Sequence, residues 1–358
     1  MLVAGSICAV ACATGLTLGG GADAASRVTV LAKNLNSPRG LNFAPEGHLI
    51  VVESGNGAAP CAVGAGITVP PRDVPGCVNA TGAIVVRSPG STRFERYHTG
   101  WPSWRTSVAG QPSEVTGLHD IGFPGLAKAY VTIGWDATPA ARSGGGSARR
   151  SFGRLVKTGP DRGKLVIADL AAFEQRRNPA GGPVDSNPYG LLAEARSTFV
   201  ADAGANALYE VKRNGNVSLV TTFPLTTNPP TCTLPGGEAG PPASDPVPTT
   251  VVRGPDKALC VGELTGFPFC AGVARVWRVV PGAKPKVHRT GFKMIIDMAF
   301  AKDGTLYVLQ FASSPACREG RVRSSGCAGT DNGRCSTPAS GSSSRAGSRS
   351  GPRTARCT

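Results

Sequence analysis

Acidic residues recur at equivalent places of a repeated sequence pattern, and their spacing is typical of a cation site. Three follow a repeated valine by two positions, and two occupy matching positions on the strand before it. The five carboxylates are Glu53, Asp120, Asp202, Glu263 and Asp297. Ca²⁺ takes about six to eight oxygen ligands, so five carboxylates near one axis, completed by Asn187 or backbone carbonyls, predict a Ca²⁺ site. Alternatively, they accept hydrogen bonds from backbone amides or pair with Arg39.

One histidine and two tryptophans are the predicted ligand-binding residues. His119 would serve as a general base beside a channel. Neighbouring strand residues point to opposite faces, so Asp120 cannot orient it as in a catalytic triad, and a structural histidine is favoured. Trp101 and Trp104, in "WPSW", are predicted in a long connection, where exposed rings would bind a flat ligand, a sugar or a protein. The alternative is that both rings pack over the core. His48, His98 and His288 are predicted at the surface.

The motifs of common enzyme classes are missing from the sequence. It has no G-x-S-x-G, no C-x-x-C and no zinc-type Cys/His spacing. Two functions of different class remain. One is a binding or scaffold module for an unknown small molecule or protein; the other is a Ca²⁺-dependent hydrolase or lactonase-like enzyme that uses the five carboxylates.

The acidic positions belong to a unit that occurs five times. Each copy is a short strand, a tight turn and a second, more apolar strand. The copies are "RGLNFAPEGHLIVVE" from Arg39, "HDIGFPGLAKAYVTI" from His119, "YGLLAEARSTFVAD" from Tyr189, "TTVVRGPDKALCVGE" from Thr249 and "IDMAFAKDGTLYVLQ" from Ile296. Their equivalent valines are Val51, Val131, Val200, Val261 and Val308. A repeat with loops of variable length indicates a repeated supersecondary unit.

A second strand pair around a glycine turn follows each of the first four copies, so a unit has four antiparallel strands, as a propeller blade does. The composition agrees, because 48 Gly and 30 Pro accompany many short strands and turns. We predict an all-β fold, an NHL-like six-bladed β-propeller over residues 28–315 that is incomplete at about four and a half blades. Residues 28–32, "VTVLA", are predicted to form a strand that completes the last blade.

Several longer strings resemble one family of secreted propellers. "NSPRGLNFAPEGHLIVVESG", "DSNPYGLL" and "VGELTGFPF" are similar to ScyD/ScyE proteins, and the resemblance covers about residues 28–313. It implies an NHL-like propeller outside the cytoplasm and supplies no substrate, because the activity of that family is not established. Family members continue with a further blade and a half, and this chain departs from them there.

The two ends of the chain differ from its body. Residues 1–24 are apolar and close on an A-x-A arrangement, which predicts a secretory signal peptide and an extracytoplasmic protein. Residues 316–358 are rich in Arg, Ser and Gly, which predicts a disordered tail or a segment translated out of frame.

The cysteines and the charge limit the partners. Cys61 with Cys77 is the preferred disulfide, Cys232 with Cys270 a second, and Cys260 is predicted to be buried in a strand. The tail carries +6 of the net charge of +15 and lacks interleaved aromatic residues, so no nucleic-acid partner is predicted. No run after the leader reaches the length of a membrane span.

Overall fold

The structure is a computed structural model that describes residues 29–56, 76–106, 114–125, 128–135, 138–142, 150–311 and 323–327. The chain divides into two units, residues 1–33 and 34–358. In the first unit, the described residues 29–33 form no helix or strand. The prediction of a strand over residues 28–32 is therefore wrong for the part that is described, and the predicted signal peptide lies outside the described residues.

The second unit is built from antiparallel sheets that follow one another along the chain. Blade 1 contains β1 (Pro38–Phe43), β2 (Leu49–Glu53), β3 (Gly76–Arg87), β4 (Glu95–Thr106) and the short β5 (Val115–Thr116). Blade 2 contains β6 (Leu118–Gly125), β7 (Lys128–Ile133), β8 (Arg154–Thr158) and β9 (Leu165–Asp169). Blade 3 contains β10 (Pro188–Ala193), β11 (Ser197–Asp202), β12 (Ala207–Lys212) and β13 (Val217–Thr222).

The later part of the chain continues the pattern. A two-stranded ribbon, β14 (Thr226–Thr227) with β15 (Ala243–Ser244), precedes blade 4. Blade 4 contains β16 (Pro248–Arg253), β17 (Leu259–Glu263), β18 (Ala274–Val279) and β19 (Lys286–Phe292). Blade 5 contains β20 (Ile295–Phe300), β21 (Leu306–Gln310) and β22 (Arg323–Cys327).

The arrangement of these sheets is that of a β-propeller. In every sheet the spatial order of the strands equals their order along the chain. The first strands of consecutive blades are neighbours, since β1 contacts β6, β6 contacts β10, β10 contacts β16 and β16 contacts β20. Up-and-down sheets that meet through their first strands define blades around an axis. The predicted fold class is confirmed.

The hydrophobic core lies between consecutive blades. Strand residues alternate between two faces, so neighbouring residues of one strand pack against different blades. In β11, Val200 packs with residues of blade 2, whereas Phe199 and Ala201 pack with residues of blade 4. All five repeated valines are buried. Burial on both faces explains why the second strand of each copy is the more apolar one.

Blade 5 differs from the sequence prediction. The repeat predicts two strands there, but residues 323–327 add a third, β22, that pairs antiparallel with β21. These residues belong to the segment predicted as a tail. The rest of residues 316–358 lies outside the described part of the chain.

The segment that connects blade 2 to blade 3 contains a helix that the repeat does not predict. Helix α1 spans Leu170–Arg177. Asp169 caps its N-terminus by accepting a hydrogen bond from the backbone N–H of Ala172, and Asn178 ends it in a left-handed conformation. Within α1, the buried Glu174 accepts a 2.6 Å hydrogen bond from the hydroxyl of Tyr209, which fastens the helix to blade 3.

The cysteine predictions have separate outcomes. Cys232 and Cys270 form a disulfide, and Cys260 is a buried free thiol, so both predictions are confirmed. The predicted Cys61–Cys77 pair lies outside the residues whose side chains are described. Within the described ranges, no helix is long and apolar enough to cross a membrane.

Candidate functional site

The inner strands place polar side chains from different blades close to one another. Each first strand carries an irregularity of its register immediately after its first residue, and such bulges re-aim side chains. Six of the second and third residues of these strands form what we call the inner-strand site. Its members are Arg39, His119, Asp120, Tyr189, Thr250 and Asp297.

Asp120 is the inner-strand carboxyl whose two oxygens both accept backbone hydrogen bonds. Its Oδ2 accepts a 2.8 Å hydrogen bond from the backbone N–H of Leu191 in the next blade, and its Oδ1 accepts one of 2.8 Å from Ile121. On the other side it contacts Gly40, where a Cβ atom would lie 2.4 Å from Oδ1. Glycine is therefore required at position 40 for this approach.

Burial, followed by the nearby charge of Asp297, raises the pKa of Asp120 to about 8 against the opposing effect of the two backbone hydrogen bonds. Loss of hydration and a like charge both favour the neutral form of a carboxyl group. Asp120 is therefore mostly a neutral carboxylic acid at pH 7.

Asp297 is the second carboxyl, three blades further along the chain. Its Oδ1 accepts hydrogen bonds from the backbone N–H of Met298 at 2.8 Å and from the hydroxyl of Thr250 at 3.2 Å. Burial raises the pKa of Asp297 as well. No salt bridge joins either carboxyl to a cation among the residues described here.

Arg39 and Tyr189 form the polar edge of the site. The Nη1 group of Arg39 donates a 3.3 Å hydrogen bond to the hydroxyl of Tyr189, and its Nη2 group donates one of 2.8 Å to the carbonyl of Val115. Arg39 itself is exposed. A guanidinium, a phenol and a neutral carboxyl together offer both donors and acceptors to a polar ligand.

His119 lies beneath Tyr189 and is buried. The two ring centroids are 4.5 Å apart, and Nδ1 of the histidine lies 3.2 Å from the carbonyl of Pro188. Burial, followed by the charge of Arg39, lowers the pKa of His119 to about 3. The neutral ring therefore donates from Nδ1 to this carbonyl and supports Tyr189, as the structural interpretation of the sequence expects.

Three of the five predicted cation ligands have a different place and a different role. Glu53, Asp202 and Glu263 are each the last residue of a second strand, and all three are fully buried. Gln310 holds the same place in blade 5. We call these four residues the strand-end acceptors.

Three of the strand-end acceptors accept a hydrogen bond from the backbone just before the first strand of their own blade. Glu53 accepts a 2.8 Å hydrogen bond from the backbone N–H of Asn36, Asp202 accepts one of 2.6 Å from Asn187, and Gln310 accepts one of 2.7 Å from Lys293. An uncharged carboxamide makes the same bond as the two carboxylates. The shared property of these positions is therefore hydrogen-bond acceptance.

Two of the strand-end acceptors also bind guanidinium groups. Glu53 receives two hydrogen bonds from Arg96, at 2.8 and 2.9 Å. Glu263 accepts hydrogen bonds from Nε and Nη2 of Arg275, at 2.8 and 3.0 Å, and from the indole N–H of Trp277. Bidentate pairing of this kind satisfies a buried carboxylate.

The predicted five-carboxylate Ca²⁺ site is therefore not formed. Within the described ranges, no three His, Cys, Asp or Glu side chains are grouped so that they could hold a metal ion. Asn187, the predicted additional ligand, uses its side-chain oxygen to accept a 3.2 Å hydrogen bond from the backbone of Trp135. The repeat pattern correctly identified equivalent positions, but the strand-end positions and the inner-strand positions lie in different environments.

The prediction of exposed tryptophans is also wrong. Trp101 and Trp104 lie on β4 and are 1% and 2% exposed. Trp104 packs on Trp135 with ring centroids 4.9 Å apart, and Trp101 packs on His98 at 4.8 Å. The long predicted connection is a strand, so both rings face blade 2. His98, predicted at the surface, is buried by the same contact.

Sequence reasoning did not identify Arg39, Tyr189 and Thr250 as members of the inner-strand site. Their only signal was position, because they stand beside or opposite the aspartates in the aligned copies of the repeat.

Comparisons with known proteins find only distant likenesses to solved structures. No family model and no curated protein matches the chain. A catalytically inactive virginiamycin B lyase from Staphylococcus aureus, solved with quinupristin, is similar at a TM-score of 0.40 and 10% identity over 76% of this chain and 63% of that one. A gluconolactonase from Xanthomonas campestris is similar at a TM-score of 0.38 and 15% identity over 66% of this chain and 64% of that one.

A nidogen/laminin complex is similar at a TM-score of 0.33 and 12% identity over 65% of this chain and 84% of that one. The chain spans less than two thirds of the length of the lyase and gluconolactonase structures. The class of the protein, a β-propeller with a polar inner-strand site, rests on its own sheets and side chains.

Proposed function

We propose that the protein is an extracytoplasmic ligand-binding propeller that takes a small polar molecule at the inner-strand site. The observation that carries the proposal is the carboxyl of Asp120, which is fixed by two backbone N–H groups and lies near a second carboxyl, Asp297. A neutral acid donates a hydrogen bond, and Arg39 and Tyr189 supply further donors. A molecule with several hydroxyl or carbonyl oxygens fits this set.

Within the described ranges, the aspartates of the inner-strand site lack the arginine partners that the buried glutamates have. Neither aspartate forms an ion pair within the described ranges, whereas Glu53 and Glu263 each hold an arginine. Clusters of titratable groups with shifted pKa values are found preferentially at functional sites.

The test is a thermal-shift screen of sugars, sugar acids and lactones against the wild type and the double variant Asp120→Asn, Asp297→Asn. The control is Asp256→Asn, an exposed aspartate that pairs with Arg278 on an outer strand. Ligands that stabilise the wild type and the control but not the double variant would support the proposal. Ligands that stabilise all three proteins equally would contradict it.

A Ca²⁺-dependent hydrolase or lactonase-like enzyme is the second candidate, favoured by the pair Asp120 and Asp297 alone. Two carboxylates are few for Ca²⁺, which needs about six to eight oxygens. Calorimetry with Ca²⁺ distinguishes the candidates. Binding that is lost in the double variant would favour the metal-dependent enzyme, and its absence from the wild type would exclude it.

The Cys232–Cys270 disulfide supports the extracytoplasmic location, because disulfides persist in oxidising compartments. The apolar leader supports it independently. N-terminal sequencing of protein recovered from the culture medium tests this point. A mature chain that begins at Ala25 is expected, and retention of the whole protein in the cytoplasm would contradict the location.

We also propose membership of the ScyD/ScyE family on the strings named above. Two of these strings have a local structural role. Ser186 and Asn187 of "DSNPYGLL" bind Asp202, and Glu263 of "VGELTGFPF" binds Arg275. A solved family member with the same two contacts would support membership, and one that lacks them would weaken it.

A further inference from the structure

A cavity of about 510 Å³ lies at the hairpin that joins β8 to β9 in blade 2. Three lysines and one carboxylate are among its lining residues, namely Lys128, Lys157, Lys164 and Asp161. The lining therefore carries an excess of positive charge. None of these residues belongs to the inner-strand site.

The strand register places two of the lysines on the same face of neighbouring strands. Tyr130 of β7 pairs with Lys157 of β8, and the register between these strands is regular. Lys128, two residues before Tyr130, therefore lies on the same face as Lys157, at a diagonal position of the neighbouring strand. Like charges so close on one sheet face repel each other.

Neither lysine has a counter-charge in the described part of the chain. Lys128 and Lys157 form no ion pair or hydrogen bond through their ammonium groups there. Asp161 uses Oδ1 to accept a 3.3 Å hydrogen bond from the backbone of Gly163 in its own turn. An anion placed between the two ammonium groups would relieve their repulsion.

The wall of the cavity is fixed by contacts with blade 1. The hydroxyl of Tyr97 donates a 2.8 Å hydrogen bond to the carbonyl of Pro160. Lys164 donates one of 2.7 Å to the carbonyl of Gly100, and its Nζ atom lies 4.5 Å from the ring centroid of Trp101. A hairpin held at both sides loses little freedom when a ligand binds.

The positive charge of this hairpin acts on a neighbouring group. The pKa of His98 is lowered to about 4, first by burial and then by the charges of Lys164 and Arg162, with Asp161 opposing them less. Asp161 therefore does not neutralise the hairpin.

We propose that this cavity binds a small organic anion through a tetrahedral oxyanion group, phosphate or sulfate, held between Lys128 and Lys157. Leu165 also lines the cavity and is 59% exposed, so it offers an apolar surface to the body of the ligand. Lysine ammonium groups bind such oxyanions as point charges. This site is separate from the polar site of the proposed function and does not depend on it.

The test is calorimetric titration with inorganic phosphate and, separately, inorganic sulfate. The variant is Lys128→Gln with Lys157→Gln. The control is Lys212→Gln with Lys286→Gln, which removes the same charge from exposed positions on β12 and β19. We expect saturable binding of at least one anion by the wild type and the control, and a loss of about tenfold or more in the lysine variant.

Comparison of the phosphate and sulfate titrations identifies which of the two oxyanion groups the natural ligand carries. Tighter binding of phosphate indicates a phosphorylated ligand, and tighter binding of sulfate indicates a sulfated one. An equal loss in the control would overturn the proposal, since net charge alone would then explain binding. Absence of saturable binding of both anions by the wild type would also overturn it. Lys128→Gln alone, at an exposed strand end, gives the same test if the half-buried Lys157 proves necessary for folding.

Discussion

The glutamates among the strand-end acceptors and the inner-strand aspartates are all carboxyl groups, but the blades use them in two different ways. Glu53 and Glu263 end the second strands of their blades and are fully buried, and each holds an arginine through two hydrogen bonds. Asp120 and Asp297 stand on first strands and have no cation partner in the described ranges. Pairing with an arginine therefore distinguishes Glu53 and Glu263 from the two inner-strand aspartates.

The largest effect that would test this difference is expected at Glu263. Glu263→Ala leaves the guanidinium of Arg275, whose side chain is only 16% exposed, without its partner. Removing one member of a buried ion pair costs about 3–5 kcal/mol, so the free energy of unfolding measured in urea should fall by about that amount.

The control for Glu263 is Asp256→Ala in the same blade. Its ion pair with Arg278 is solvent-exposed, with side chains 38% and 50% exposed. Exposed pairs contribute about 0–1 kcal/mol. Equal losses in both variants would remove the basis for calling Glu263 structural.

A moderate effect is expected at Asp202. Its carboxylate accepts hydrogen bonds from Ser186, Asn187 and Ala205. In Asp202→Asn, Oδ1 can keep the backbone N–H groups of Asn187 and Ala205, but the amide nitrogen replaces Oδ2 and can no longer accept the hydrogen bond of the Ser186 hydroxyl. The expected loss is about 1–3 kcal/mol of unfolding free energy. A chemical denaturation series on Asp202→Asn and Asp303→Asn, the latter in an exposed turn, measures it, and indistinguishable values would contradict the structural role.

The sequence predicts the positions of the strand-end acceptors and the inner-strand carboxyls through the repeat, but it does not predict their partners. The alternation of apolar residues and the turn residues predicts all five strand pairs and the five buried valines, because those features are local. It does not predict which carboxylate meets an arginine. Arg96 and Arg275 reach Glu53 and Glu263 from other strands, and cross-strand partners depend on register and loop length.

The tryptophans illustrate the same limit. Polar and proline neighbours around Trp101 and Trp104 indicate a loop, but pairing with β3 makes the segment a strand and buries both rings. Tertiary context overrides local propensity here. Residues 57–75 and 107–113 lie outside the described part of the chain.

An effect that appears only as a pH dependence is expected at Asp120. Its folded-state pKa of about 8 is above the ordinary value of about 4 in the unfolded chain. The folded protein therefore holds this proton more tightly, so the contribution to stability is complete below about pH 4 and is lost as the pH rises through about 8.

Asp120→Asn removes this titration. We expect the wild type to lose about 4 kcal/mol of unfolding free energy between pH 5 and pH 9 relative to the variant, because only the folded chain keeps the proton over about three pH units of this range, at about 1.4 kcal/mol each. Denaturant unfolding at both pH values measures the difference. Parallel pH profiles for the two proteins would contradict the assignment of a raised pKa to Asp120.

The smallest effect is expected at Gln310. Gln310→Glu keeps an oxygen acceptor for the backbone N–H of Lys293 and makes blade 5 resemble blades 1 and 4. The free energy of unfolding should change by no more than about 0.5 kcal/mol. Thermal unfolding of Gln310→Glu beside Gln310→Leu, which lacks an acceptor, measures this. A large loss in the first variant would show that acceptance of a hydrogen bond is not the shared function of these positions.

The most direct test of the central claim is a titration of the Asp120 carboxyl by carbon-13 NMR, assigned with Asp120→Asn. The account predicts a midpoint near pH 8, because the carboxyl is buried and lies near Asp297. A midpoint near the ordinary aspartate value of about 4 would contradict it. Asp120 would then be ionised at neutral pH, and the inner-strand site could not offer the neutral acid on which the proposed function rests.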